Sequence, residues 1–224
     1  MRVLPFLFVS FLFFVTCQNK PTEPKPDEDK PGRRDYVWEV DSLWVKFPYN
    51  QYDYIWGDSP DNIWIAGDGD GSNSVLRYDG EKWHKINLEP HGLGAPVPWS
   101  IYGFSANDVW VGGADSDIWH YNLIGRTRYN ISVPEGYGRL HTMNIWGYSP
   151  DNIWAVGSII NNENGFNEGV ILHFNGVEWK ITNPIIKNYY INTMGITTGY
   201  NEFFMTYHNN QYPDSNGVFY LKNN

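Results

Sequence analysis

The sequence predicts an all-β fold, a small β-propeller of about four four-stranded blades closed by an N-terminal strand. Three observations predict it. A thirteen-residue motif occurs three times without gaps, and a decayed fourth copy follows. Each copy is trailed by a second motif built around a hairpin. Aromatic residues make up 17% of the chain, with 11 Trp, which is enough to build a large core. Four short strands in every 40–50 residues is the pattern of propeller blades.

The first motif reads Ile55-Trp56-Gly57-Asp58-Ser59-Pro60-Asp61-Asn62-Ile63-Trp64-Ile65-Ala66-Gly67. It returns as Ile101-Tyr102-Gly103 through Gly113, and as Ile145-Trp146-Gly147 through Gly157. The fourth copy aligns Gly195 with Gly57, Gly103 and Gly147, and places Phe203-Phe204-Met205-Thr206 where the others have Ile-Trp-x-x. Strand A ends at the Gly, and strand B begins at the following Ile-Trp. The intervening Pro and Asp or Asn suit a tight turn, so Asp61, Asp108 and Asp151 are expected to be turn formers. Strand B is apolar at consecutive positions, as a sheet covered on both faces requires. Stacked blades provide that cover.

The second motif contains Tyr78-Asp79-Gly80 before Trp83 in the first copy, and Phe174-Asn175-Gly176 before Trp179 in the third. Asp-Gly and Asn-Gly between alternating strands predict two-residue hairpins joining strands C and D. The fourth copy supplies a strand C at 217–221 and stops before a strand D. Residues 41–47, with Trp44 and Phe47, match the strand D pattern and are expected to complete that last blade, which would cover an open edge. An open array that finishes its ring by self-association is the alternative. If 41–47 closes the ring, the chain before it leaves from the tight-turn face.

The N-terminal residues read as an address. Arg2 precedes an apolar run from Val3 to Val15, too short to span a bilayer and shaped like a secretory signal. The run ends at Cys17, the single cysteine, so no intramolecular disulfide and no multi-Cys metal site can form. Residues 18–35 hold Pro21, Pro24, Pro26 and Pro31 among five basic and five acidic side chains, with no large apolar residue. Such a segment cannot bury enough surface to fold and acts as a semi-extended tether. The expected organisation is a signal peptide at 1–16, a Pro-rich charged linker at 17–35 and the repeat domain at 36–224. A formal net charge of −9 without a basic stripe argues against nucleic acid as a partner.

Two resemblances follow from these residues. Leu12 to Cys17 resembles the lipobox of bacterial lipoproteins, although Phe14 and Thr16 stand where that pattern prefers Leu and a small residue. It implies lipidation of Cys17 and an exported protein anchored in the bacterial cell envelope, at the outer membrane and facing the periplasm or the surface. The Trp-Gly-x-Ser-Pro-x-Asn-Ile-Trp-Ala-Val-Gly repeat, followed by Tyr-Asp-Gly-x-x-Trp, resembles repeats of exported bacterial lipoprotein β-propellers. That likeness covers about residues 50–220 and implies fold far more than function.

No Gly-x-Ser-x-Gly, P-loop, zinc-ligand cluster or His-Glu-x-x-His spacing occurs, and no catalytic residue is assigned. The repeated Trp residues are core. The loops from B to C and from D to A differ most in length and lie on one face of the predicted ring, where binding is usually grafted. They include 158–168, 133–142 and 183–190. That face carries Tyr137, Arg139, His141, Phe166, Tyr189, Tyr190, His208 and Tyr212 as candidate binding residues. Asp68 and Asp70, in Asp-Gly-Asp-Gly-Ser, resemble the opening of a calcium loop but lack its trailing Glu, so weak calcium binding is the most they predict. No other cofactor is implied. The expected function is a non-catalytic binding module for an extracytoplasmic glycan or protein. The alternatives are a carbohydrate-active enzyme, of transferase or lyase type, and a structural subunit of an envelope assembly.

Overall fold

A computed structural model describes residue 40, residue 43 and residues 51–68, 74–88, 97–122, 124–197, 202–210, 212 and 214–222. The chain divides into two units, Met1–Ser42 and Leu43–Asn224. All the strands described below belong to the second. Cys17, Asp70, the linker and the expected closing strand at 41–47, Leu43 excepted, lie outside the described residues.

The second unit is all-β, with four small antiparallel sheets arranged as a four-bladed propeller. Blade 1 holds β1 (Gln51–Ser59), β2 (Asn62–Asp68), β3 (Val75–Tyr78) and β4 (Trp83–Lys85). Blade 2 holds β5 (Pro98–Ser105), β6 (Asp108–Gly113), β7 (Asp117–Asn122) and β8 (Arg126–Asn130). Blade 3 holds β9 (Tyr137–Ser149), β10 (Asn152–Asn161), β11 (Asn167–Phe174) and β12 (Trp179–Ile186). Blade 4 holds β13 (Tyr189–Thr197), β14 (Glu202–Asn209) and β15 (Gly217–Lys222), three strands among the described residues. Within each sheet the strands follow sequence order, so every connection inside a blade is a hairpin.

The core lies between blades. Trp64, Ala66 and Val75 of blade 1 meet Ile101, Val109, Val111 and Trp119 of blade 2. Trp110 and Ile118 of blade 2 meet Ile145, Ile153, Leu172 and Phe174 of blade 3. Val156 and Ile171 of blade 3 meet Ile191, Phe203 and Met205 of blade 4. Alternate residues of a strand therefore serve alternate junctions, which is why strand B is apolar on both faces.

The repeat's second glycine is set by backbone geometry. In β1, β5 and β9 the ladder shifts register three residues before Trp56, Tyr102 and Trp146. A Cβ at Gly67, Gly113 or Gly157 would run into the carbonyl oxygen of Gln51, Val97 or His141 beside that irregularity. The fixed Trp-x-x-Gly spacing is thus a bulge signature.

Three expectations are corrected. First, the C–D connections of blades 1 and 3 span four residues, not two. The Asp79 carboxylate accepts from the N–H groups of Glu81 and Lys82 at 3.0 and 2.9 Å, and Asn175 Oδ1 accepts from Val177 and Glu178, both at 3.1 Å. Gly80 and Gly176 take the positive φ inside these Asx turns, at 94° and 88°. Second, the fourth copy is displaced by one residue. Gly57, Gly103 and Gly147 pair with Ile63, Val109 and Ile153, but the partner of Phe203 is Ile196, and Gly195 pairs with Phe204. The irregularity at Asn192, three residues before Gly195, gives the same register, so Met194 takes the place of Ile55. Third, Asp108 is not a turn former. It occupies the position of Asn62 and Asn152, at the start of strand B.

That position is an internal polar tie. Asn62 Oδ1 accepts from the Trp64 indole at 2.9 Å and from Arg77 Nε at 3.0 Å. Asp108 Oδ1 accepts from the Trp110 indole at 3.1 Å and lies 2.8 Å from His120 Nε2. Asn152 Oδ1 lies 2.9 Å from His173 Nε2. In blade 4 the Tyr220 hydroxyl bonds the Glu202 carboxylate, the same two positions in different chemistry. Each tie carries strand B to strand C beside an aromatic ring, as where Trp110 and His120 stack at 3.9 Å.

Candidate functional site

The A–B turns are tight at 60–61, 106–107 and 150–151, and the opposite face is built differently from what loop lengths suggest. Much of it is strand. β9 starts at Tyr137, β10 runs on to Asn161, β12 runs on to Ile186, and only Lys187 and Asn188 separate β12 from β13. The segments 158–168, 133–142 and 183–190, expected as loops, are largely ladder extended past the repeat. Pairing satisfies the backbone N–H and C=O groups that loops of this length would otherwise leave to solvent. The result is a rigid rim that carries six of the eight candidate binding residues on strands: Tyr137, Arg139 and His141 on β9, Tyr189 and Tyr190 on β13, and His208 on β14.

These residues divide into groups. Arg139 and His141 come together with two residues outside the repeat pattern, Trp99 and Asp115. The His141 and Trp99 rings lie 4.8 Å apart at 32°. Arg139 Nε lies 3.2 Å from Asp115 Oδ1, with both side chains mostly exposed. Asp115 and Ser116 form the turn between β6 and β7, with φ of 66° and 61°. Ser116 fixes that turn against β9: its N–H donates to the Leu140 carbonyl at 2.8 Å and its Oγ accepts from Leu140 N–H at 3.0 Å. Trp99 stands at the irregularity in β5. The patch spans blades 2 and 3 and presents an aromatic ring, an imidazole, a guanidinium and a carboxylate.

Burial holds the His141 pKa below the ordinary histidine value of 6.5; Asp115 pulls it up and Arg139 pushes it further down. The imidazole is therefore neutral at neutral pH. Its Nδ1 is buried without a hydrogen-bond partner among the described residues.

Tyr137 serves the scaffold. Its hydroxyl donates to Glu168 Oε2 at 2.9 Å, while Asn161 Nδ2 donates to Glu168 Oε1 at 2.9 Å. Together they neutralise the polarity of a buried carboxylate. Tyr189 is half-buried and packs edge-on against Tyr207 and Phe219, with centroids at 4.9 and 5.6 Å. Tyr190 and His208 are cross-strand partners stacked at 5.1 Å and 16°. Phe166 and Tyr212 are exposed at hairpin tips. The Asn210 amide donates to the Asn167 carbonyl, which ties the blade 4 tip to the blade 3 tip.

Asp68 is exposed at the end of β2, and its expected calcium partner Asp70 is outside the described residues. Among the described residues no group of three His, Cys, Asp or Glu side chains is placed to hold a metal ion. No helix of the described residues is long and apolar enough to cross a membrane.

Trp99 and Asp115 were not singled out by the repeat. The available signal was Trp99 itself, which falls between repeat positions while the other motif tryptophans recur in register.

Comparison of the sequence with protein-family models and with curated proteins gives no match. The fold is similar to solved structures. One is the extracellular domain of the putative hybrid two component system BT4673 from B. thetaiotaomicron, at 16% identity and a TM-score of 0.56, covering 82% of this chain and 22% of that one. Another is YCF48 bound to D1 peptide, at 15% identity and a TM-score of 0.48, covering 84% of this chain and 58% of that one. The chain thus spans about a fifth and somewhat over half of the structures it resembles. At 16% identity the likeness to the first of these supports a propeller fold and leaves function to the site.

Proposed function

We propose that the protein is an exported binding module that takes a glycan or a peptide on its rim face, at the patch formed by Trp99, Asp115, Arg139 and His141. The observation that carries this reading is the convergence of those four side chains, from three strands or turns of two blades, on a rigid scaffold. An indole face stacks on a sugar ring or a side chain. A guanidinium and a carboxylate, both exposed, orient polar groups of the ligand. Tyr190 with His208, and the exposed rings of Phe166 and Tyr212, extend the same face toward blade 4 and suit a ligand longer than one residue or sugar.

The lipid anchor at Cys17 belongs to this reading as the device that holds the module at the envelope. A glycan and peptide array probed with the protein tests the ligand class. Trp99→Ala is expected to weaken any ligand found by at least about tenfold, as loss of an aromatic anchor does. Binding unchanged in Trp99→Ala and Arg139→Ala would remove the patch from the proposal. Cys17→Ser is expected to move the protein from the membrane fraction to the soluble fraction; a variant that still fractionates with membrane would end the anchor assignment.

A further inference from the structure

One buried residue of blade 2 grips the strand that carries the blade 3 half of the rim patch. Three residues other than glycine take a positive φ among the described residues, and two of them are consecutive, Asp115 at 66° and Ser116 at 61°. A hairpin turn with both central residues in that region takes Asp-Gly most readily, because glycine sits there without steric cost. The corresponding hairpin of blade 3 does use a glycine, Gly165, at 73°. Blade 2 places serine where glycine would be easier, so the side chain answers to something other than the turn.

The contacts of Ser116 lie outside its turn. Its N–H donates to the Leu140 carbonyl at 2.8 Å, its Oγ accepts from the Leu140 N–H at 3.0 Å, and its carbonyl accepts from the Ile131 N–H at 2.7 Å. Ser116, Ile131 and Leu140 are 8%, 2% and 0% exposed, so water does not compete for these bonds. Leu140 stands between Arg139 and His141 on β9. Its side chain belongs to the core, so strand alternation sends Arg139 and His141 the other way. Asp115, beside Ser116, is exposed and holds Oδ1 3.2 Å from Arg139 Nε.

We infer that Ser116 is a positioning residue of the rim site. By gripping Leu140 it sets the Asp115 carboxylate against the Arg139 guanidinium and beside His141, and so preassembles a patch whose parts come from two blades. The inference rests on the reading of that patch as the ligand site. Side chains held in place before a ligand arrives lose less freedom on binding, and backbone strain persists where such an arrangement holds it. Without the hydroxyl, one of the two bonds to Leu140 is gone and Asp115 is free to leave Arg139.

The His141 ring reports the grip without a ligand. Burial lowers its pKa, Asp115 pulls it up and Arg139 pushes it further down, so the midpoint follows the position of the carboxylate. NMR titration of that ring in the full chain, with thermal melts to confirm folding, tests the inference. Asp115→Asn is expected to lower the midpoint. Ser116→Ala, which removes only the hydroxyl, is expected to lower it too, and to have no further effect in the Asp115→Asn background. Should Ser116→Ala fail to fold, Ser116→Gly removes the same hydroxyl and suits the positive φ. A midpoint indifferent to Asp115→Asn, unchanged by the Ser116 variants, or lowered equally with and without the Asp115 carboxylate would overturn the inference. Because the titration needs no ligand, an array without a hit counts against the binding reading and leaves this result standing. For a glycan or peptide taken from the array, Ser116→Ala is expected to weaken binding in the parent and not in Asp115→Asn; equal weakening in both would also overturn it.

Discussion

At the residue scale the molecule repeats a small piece of polar chemistry. Asn62, Asp108 and Asn152 each place an oxygen under the side chain of strand C, and the first two also accept an indole N–H. Trp64 is fully buried, so removing its acceptor strands the donor. Asn62→Ala is expected to cost about 1–3 kcal/mol, the price of an unpaired buried polar group. Asn62→Asp, which copies the residue blade 2 uses, is expected to recover most of that; denaturant unfolding of both variants checks it. Two histidines set a pH response. Burial lowers the pKa of His141 and of His173 below 6.5. A lowered histidine pKa means that the unfolded chain takes up the proton first, so stability is level above that value and falls as pH drops through it. The melting temperature is expected to fall as pH drops below about 6.5, with a shallower fall in a variant carrying His141→Gln and His173→Asn. An identical slope in that variant would contradict the assignment.

At the element scale the glycines that end the first motif matter more than the tryptophans that make it visible. Gly67, Gly113 and Gly157 stand where a neighbouring strand's backbone passes too close for any Cβ. Backbone cannot swing aside as a side chain can. Gly113→Ala is therefore expected to destabilise by at least about 1–3 kcal/mol, whereas Gly125→Ala, with open space around it, is expected to be near neutral. Thermal melts of the two variants side by side check this. Strand count and strand order were legible in the sequence because Ile-Trp pairs, Pro-Asx turns and glycines recur at fixed offsets. Length and register were less so. The fourth copy kept a glycine, Gly195, one residue away from the pairing position of Gly57, and only the ladder shows the slip. The extension of β9, β10 and β12 past the repeat lies outside the motif, where Asn, Thr and Tyr suit a loop as well as a ladder edge, and only Ile159-Ile160 and Ile185-Ile186 favour a strand.

At the scale of the whole molecule, the structure places some of the candidate residues on an exposed patch and ties others into the scaffold. Arg139 and His141 were singled out by their position within a connection of variable length, 133–142. Tyr137 and Tyr189 were found the same way and turned out to be tied to Glu168 and packed on Tyr207. Sequence position cannot tell an aromatic ring that faces solvent from one that supports the rim, because both lie on the same strands. Asp115 and Trp99 entered only through contacts between blades, and such contacts join residues 24 and 42 positions apart. The central claim is that ligand is held at this blade 2–blade 3 patch. The most direct test is hydrogen exchange of the full chain with and without a ligand taken from the array. Binding at the patch predicts slowed exchange confined to residues 97–100, 114–116 and 137–142. Protection centred instead on the tight turns at 59–62, 105–108 and 149–152, with those rim segments unchanged, would contradict it.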